Sequence, residues 1–114
     1  MKQKIKNWKD YIDPQNLALL RHCNIKYSEA LHYFKKQKWK NAREAYKEFT
    51  KINLIDFDAF YELGKCCLEL GYFRECVKNW SKAQRIEPEN QKLKKELIKV
   101  KNDWKTYYQR TKKA

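Results

Sequence analysis

The stretch FYELGKCCLELGYFRECVKNWSKAQRIEP, residues 60–88, decides the fold of this chain of 114 residues. Gly71 lies in its middle, where a glycine is typical of a tight turn after a helix. Pro88 closes the stretch and is typical of the first turn of a further helix. Because the whole chain holds only 2 Gly and 2 Pro, it lacks the frequent turn signals of a barrel or sandwich. The sequence predicts a few long helices.

The same pattern occurs 34 residues upstream, because aligning the chain with itself at that offset matches aromatic with aromatic and small with small residues. A tandem repeat of one helical hairpin explains this agreement. The matched pairs are Tyr27 with Tyr61, Ala30 with Gly64, Phe34 with Leu68, Trp39 with Phe73, Ala42 with Cys76, Tyr46 with Trp80, and Ile52 with Ile86.

The downstream copy resembles the tetratricopeptide repeat, W-x2-L-G-x2-Y…A-x3-F…P. In this chain the pattern is Phe60-x2-Leu63-Gly64-x2-Cys67, followed by Cys76-x3-Trp80, Ala83 and Pro88. The upstream copy shares Ala30, Tyr33, Ala42 and Tyr46 but departs from the motif at Lys26, Glu29 and Leu54. The resemblance covers about residues 23–90.

The resemblance implies an all-α fold in which antiparallel helix hairpins stack as a short right-handed solenoid with a C-terminal capping helix. Small residues permit the close approach of paired helices, and aromatic side chains fill the space around them. We expect Ala30, Ala42, Gly64, Cys76 and Ala83 at these crossings. The predicted helices cover residues 14–36, 40–53, 57–70 and 73–86, and the predicted capping helix covers about 89–110.

We predict one helical domain over residues 14–114, with repeats at about 23–56 and 57–90, after a basic N-terminal arm at 1–13. The first helix extends beyond its repeat, because Leu17 and Leu20 continue the apolar stripe of Tyr27. That stripe needs cover, either from the arm or from another protein.

The charge is uneven along the chain, which carries 27 basic and 14 acidic residues and a net charge of +13. Residues 1–40 have a net charge of +7, residues 41–87 of 0, and residues 88–114 of +6. Basic flanks favour an anionic partner such as nucleic acid, acidic lipid or an acidic protein, although they also serve solubility. Lysine supplies most of the excess, which argues against bidentate phosphate recognition because that prefers arginine.

Catalytic and metal-binding motifs are missing from the sequence, so we predict no enzyme activity, no metal and no cofactor. His22 and His32 have no nucleophilic partner at a suitable spacing, and no glycine-rich phosphate loop occurs. The four cysteines lie within helical patterns without a signal peptide, and we expect buried, reduced packing thiols. We expect an intracellular, chiefly cytoplasmic location, with nuclear or organellar sites as alternatives, and no transmembrane segment.

Proteins that resemble tetratricopeptide arrays generally act as adaptors, and the first helix of each pair forms an inner face that holds a peptide or helix. The resemblance therefore implies a non-catalytic scaffold within a larger assembly. The residues predicted for partner contact are Tyr27, Leu31, Phe34, Tyr61, Lys65 and Leu68. A chaperone-tail clamp of the kind found in one subfamily is disfavoured, because Glu62 and Glu96 would repel a carboxylate while only Lys92 fits.

A second hypothesis is a basic component of a ribonucleoprotein or ribosome-associated assembly that contacts RNA through its lysine-rich ends. The terminal helix interleaves lysines with Trp104, Tyr107 and Tyr108, which suits phosphate neutralisation with base stacking. The residues predicted for this anionic contact are Lys92, Lys94, Lys95, Lys99, Lys101 and Lys105. The sequence leaves the oligomeric state and the identity of the partner open.

Overall fold

The computed structural model describes residues 17–113, with the side chains of residues 18, 19 and 21–110. The predicted arm, residues 1–13, the predicted helix start at Pro14, and the side chains of Leu17 and Leu20 lie outside the described residues. Residues 17–113 form five helices and no strand, in agreement with the predicted all-α fold. They are α1 (Leu17–Lys35), α2 (Trp39–Ile52), α3 (Phe57–Glu69), α4 (Phe73–Ile86) and α5 (Gln91–Lys113).

The helices pack in chain order, each against the next, and α1 also contacts α3. Two hairpins, α1 with α2 and α3 with α4, therefore stack on each other, and α5 lies against α4. The core runs continuously from Cys23 in α1 to Val100 in α5. All five small residues predicted at the helix crossings are buried: Ala30, Ala42, Gly64, Cys76 and Ala83.

The two hairpin turns have the same hydrogen bonds at positions 34 residues apart. In the first turn, Gln37 N donates to Phe34 O (3.0 Å) and Lys38 N donates to Tyr33 O (2.9 Å). In the second, Gly71 N donates to Leu68 O (3.0 Å) and Tyr72 N donates to Cys67 O (2.8 Å). Gln37 and Gly71 both adopt a left-handed backbone, with φ of 58° and 79°. Glycine accepts this conformation without steric penalty, whereas glutamine does not.

The starts of α3 and α5 are capped in the same way by residues 34 positions apart. The Asp56 side chain accepts from Ala59 N at 2.9 Å and caps α3. The Asn90 side chain, 34 residues later, accepts from Leu93 N at 3.0 Å at the start of α5. Both residue types are preferred helix caps because a short side-chain oxygen satisfies a free amide. The helix consequently begins at Gln91 rather than near 89, and it continues to Lys113 rather than 110.

Gly64 lies where the Trp80 side chain of α4 packs against the backbone of α3. A Cβ atom at this position would lie 2.2 Å from Cδ1 of Trp80. The Trp80 side chain is almost completely buried, and its Nε1 donates to Tyr61 O at 2.8 Å. Glycine is required here because the indole lies directly against the helix backbone.

Candidate functional site

The predicted contact residues of the first repeat combine packing with exposure on the inner face of α1. The Tyr27 ring lies 5.1 Å from the Phe49 ring and 6.4 Å from the Tyr46 ring, between centroids. The Phe34 ring lies 5.4 Å from the ring of Trp39 at the start of α2. Leu31 is half-buried between them along the helix. Tyr27 and Phe34 hold α1 on α2, and all three side chains are only partly exposed.

In the second repeat, Tyr61 of α3 contacts both α4 and α5. Its ring stacks on Phe57 at 5.9 Å and on Trp80 at 5.5 Å, with interplanar angles of 12° and 9°. Its hydroxyl donates to the Glu96 carboxylate of α5 at 2.8 Å, which connects α3 to the capping helix. Because Tyr27 and Tyr61 both pack on the core, their replacement by alanine would change stability as well as any binding.

The other two predicted contact residues of α3, Lys65 and Leu68, differ in their environment. Leu68 packs on the core and is half-buried. The Lys65 ammonium lies 3.9 Å from the Glu69 carboxylate one turn later on the same helix. On α5, the Lys92 ammonium lies 5.8 Å from the Tyr61 ring centroid and 3.9 Å from Glu96. The face between α3 and α5 thus carries both signs of charge.

Carboxylates gather where α1 faces the start of α3. The Tyr46 hydroxyl donates to the Glu62 carboxylate. Burial and then the neighbouring charges of Asp58 and Asp56 raise the pKa of Glu62, against the lowering effect of that hydrogen bond. Burial, followed by Glu62, Asp56 and Asp58, raises the pKa of Tyr27 to about 12. The sequence pattern alone does not place Glu62 beside Tyr27, because the two residues lie in different repeats.

We call this surface the inner groove, and define it by Tyr27, Leu31, Asp58, Tyr61, Glu62 and Lys65. Its aromatic and aliphatic side chains lie beside the exposed carboxylate of Asp58 and the half-buried carboxylate of Glu62. Such a groove suits an apolar side chain flanked by basic groups.

The six lysines predicted for anionic contact do not share one face of α5. At 100° per residue, Lys92, Lys95 and Lys99 fall in one stripe and the remaining three in a second stripe well over a quarter-turn away. The apolar residues Leu93, Leu97 and Val100, which pack on the core, lie on a third side. Lysine therefore flanks the buried face on both sides. The second stripe consists of Lys94, Lys101 and Lys105.

A second concave surface, which the sequence did not predict, lies at the α3–α4 turn. It is a cleft of about 560 Å³ formed by residues of α2, the turn, α4 and α5. We call it the edge cleft. Its principal lining side chains are Arg43, Tyr72, Phe73, Arg74, Lys78 and Trp104.

Two contacts hold the edge cleft in shape. The Arg43 guanidinium donates to both Glu75 carboxylate oxygens, at 2.7 and 2.8 Å. Phe73 packs on Tyr107 with ring centroids 5.7 Å apart, which joins α4 to the second half of α5. Residues Arg43 and Glu75 are 32 positions apart, so helical periodicity gave no signal for their meeting.

The four cysteine side chains pack in the hydrophobic core. Cys23, Cys66, Cys67 and Cys76 are free and buried, as predicted. Burial, together with nearby carboxylates, raises the pKa of the Cys66 and Cys76 thiols to about 12. Since the thiolate is the nucleophile and the metal ligand, these groups are poorly suited to either role. Within residues 17–113 there is also no group of three or more histidine, cysteine or acidic side chains able to hold a metal ion.

Comparison with known proteins establishes the fold. No protein-family model matches the sequence, and no curated protein matches it significantly. Nine solved chains are similar in structure, among them a point mutant of MamA, a tetratricopeptide-repeat protein. That structure matches with a TM-score of 0.69 at 20% sequence identity, over 76% of this chain and 64% of the MamA chain. The chain therefore spans slightly less than two thirds of that structure and has a tetratricopeptide-like helical repeat fold.

None of the helices within residues 17–113 has the length and apolar character needed to cross a membrane.

Proposed function

We propose that this protein is a non-catalytic scaffold that binds a segment of a partner protein in its inner groove, and that the segment is basic with at least one apolar side chain. The proposed contact residues are those predicted from the sequence, Tyr27, Leu31, Phe34, Tyr61, Lys65 and Leu68, together with Asp58 and Glu62. The tetratricopeptide-like fold supports a role in protein interaction, because arrays of this kind generally serve as adaptors.

The observation that carries the proposal is the sign of the charge in the groove. The chain has a net charge of +13, yet three carboxylates lie close enough to Tyr27 to raise its pKa: those of Asp56, Asp58 and Glu62. Grouping like charges beside a half-buried aromatic ring is unfavourable for folding, because Asp56 and Glu62 lose hydration on burial and the exposed Asp58 adds repulsion. A basic side chain from a partner would relieve this repulsion, which favours a partner of opposite charge.

The spacing of the groove residues supports an extended segment or one face of a helix. Leu31 and Tyr27 are one helical turn apart on α1, and Tyr61 and Lys65 have the same spacing on α3. Side chains of a bound helix at positions i and i+4 would match this spacing. Buried free thiols further support a reducing, intracellular compartment for the complex.

The test is selection of peptides from a displayed random library on the immobilised full chain, followed by affinity measurement of the enriched peptides by calorimetry. We expect enriched sequences with lysine or arginine beside a leucine, isoleucine or aromatic residue. Asp58→Asn should weaken their binding about fivefold or more, because it removes an exposed groove charge without a buried partner. The matched control is Asp103→Asn, which makes the same change at an exposed position of α5.

Enrichment of acidic peptides would overturn the proposed partner chemistry. Equal loss of affinity in the Asp58 and Asp103 variants would overturn the assignment of the groove, since the effect would then follow net charge alone.

A further inference from the structure

We propose that the edge cleft is a binding site for single-stranded RNA, with a base stacked on its arginine–aromatic pairs and the backbone phosphates held by Arg74 and Lys78. This function is separate from partner binding in the inner groove.

The first argument is where the arginines lie. The chain has five arginines among its 27 basic residues, and two of them line this cleft. The Arg43 guanidinium lies over the Tyr72 ring, 5.2 Å from its centroid, and that of Arg74 lies over the Trp104 ring at 5.8 Å. RNA bases stack on both aromatic rings and guanidinium planes. The scarcity of arginine elsewhere in the chain makes this pairing with rings more informative.

The second argument is the charge that remains in the cleft. Glu75 is its acidic side chain, and it is engaged by two hydrogen bonds from Arg43 and one from the Cys67 thiol at 3.2 Å. The charge of Arg43 is therefore neutralised by Glu75 and by the exposed Glu44 carboxylate, which lies 2.6 Å away outside the cleft lining. Arg74 and Lys78 are exposed on one side of α4, four residues apart, and neither forms an ion pair with another described residue. Two positive charges thus remain directed to solvent beside the rings, which suits phosphate.

The third argument is rigidity. The fork of hydrogen bonds between Arg43 and Glu75 fixes the guanidinium plane that covers Tyr72. The contact of Phe73 with Tyr107 fixes α5 beside α4. A binding surface whose rings are already oriented loses less conformational entropy when a base stacks on it. The cleft has a volume of about 560 Å³ and is wide open to solvent, so a base can reach the rings from outside.

Stacking distinguishes this ligand from other anions. A duplex keeps its bases paired and stacked inside, so its bases do not reach protein rings. Carboxylates of an acidic peptide pair with Arg74 and Lys78, but they offer no base to stack on the arginine–aromatic pairs. The combination therefore favours single-stranded RNA over double-stranded RNA and over an acidic peptide.

The experiment measures fluorescence anisotropy of a labelled single-stranded oligouridine titrated with the full chain at several salt concentrations. The test variant is Arg74→Ala with Lys78→Ala, and the matched control is Arg85→Ala with Lys36→Ala, which removes the same charge from exposed positions outside the cleft. We expect about tenfold weaker binding for the test variant, with a salt slope smaller by about one unit. The control variant should bind within about twofold of the unchanged chain.

Three results would overturn the proposal: equal loss in the test and control variants, equal affinity for a duplex of the same length, or competition by a glutamate–tyrosine copolymer stronger than by unlabelled oligouridine. A second measurement isolates the ring. Oligouridine should quench part of the tryptophan emission. Trp104→Phe should abolish this quenching and leave the circular dichroism spectrum unchanged. Quenching that persists in this variant would exclude stacking at Trp104.

Discussion

At the scale of the residue, the ion pair of Arg43 with Glu75 shows how one contact joins the two repeats. Hydrogen bonds from Arg43 are the main reason that the pKa of Glu75 is lowered from its usual 4.5. Burial acts in the opposite direction but is the smaller effect. Glu75 also accepts from the Cys67 thiol. The carboxylate therefore accepts three hydrogen bonds, two from Arg43 of α2 and one from Cys67 of α3.

The pH dependence of stability follows from the direction of this shift. A carboxyl group with a lower pKa in the folded than in the unfolded chain stabilises the fold above its unfolded-state pKa. That stabilisation disappears as the pH falls through the folded-state value. We expect Glu75→Gln to lower the free energy of unfolding by about 2 kcal/mol at pH 7. The difference from the unchanged chain should shrink steadily below about pH 4.

Urea denaturation at several pH values measures this effect. Glu44→Gln is the control, because Glu44 also contacts Arg43, at 2.6 Å, but its side chain is 64% exposed. An exposed pair contributes about 0.5 kcal/mol or less. The explanation fails if the two variants lose equal stability, or if the loss for Glu75→Gln does not depend on pH.

At the scale of the element, α5 covers the end of the repeat stack. Its residues Leu93, Leu97 and Val100 are buried. The Tyr61 hydroxyl of α3 donates a hydrogen bond to Glu96 of α5. The cap at Asn90 repeats the position of Asp56, although the small and aromatic residues of the motif are not repeated beyond Pro88. Thus α5 starts as a third repeat would start and then continues as one helix of 23 residues.

Adjacent residues of α5 provide a matched pair of substitutions. Leu97 is 3% exposed and Ile98 is 61% exposed. Leu97→Ala should lower the free energy of unfolding by about 3 kcal/mol, because it leaves a cavity between α5 and α4. Ile98→Ala should change it by about 0.5 kcal/mol or less. Thermal melts followed by circular dichroism check both values, and a larger loss for Ile98→Ala would show that α5 packs on its other face.

At the scale of the whole molecule, the acidic end of the inner groove and the edge cleft carry opposite charge and lie toward opposite ends of α3. Asp58 is in the first turn of α3, whereas Arg74 follows the turn at its far end. A helix of 13 residues is about 20 Å long. Exposed charges at that separation are largely screened from one another at physiological salt.

This separation predicts that a groove peptide and oligouridine bind at the same time. The affinity for labelled oligouridine should change by less than about twofold when the inner groove is saturated with a selected peptide. Combining Asp58→Asn with the double substitution at Arg74 and Lys78 should give additive losses for the two ligands. Displacement of oligouridine by the peptide would show that the two ligands share a surface.

The sequence by itself determined the helices, their order and their small-residue contacts. The 34-residue period predicted the four hairpin helices to within about one residue at each described end, because turn and packing residues recur locally. The sequence predicts that Gly64 and Ala42 lie where paired helices meet, because helical periodicity indicates which positions face the neighbouring helix. The inner-face residues could be named for the same reason, and their role in partner binding stays a prediction.

Tertiary structure alone decided which charged and aromatic side chains meet across helices. The pairs of Arg43 with Glu75 and Tyr61 with Glu96 join residues 32 and 35 positions apart. The start of α5, at Gln91, also differs from the predicted start near residue 89. Which residue caps this helix depends on how the chain leaves α4. Periodicity fixes the face on which a side chain lies, but not the crossing angle or rotamer that brings it to a particular partner. Those depend on how all five helices pack together, because a close-packed core admits few arrangements.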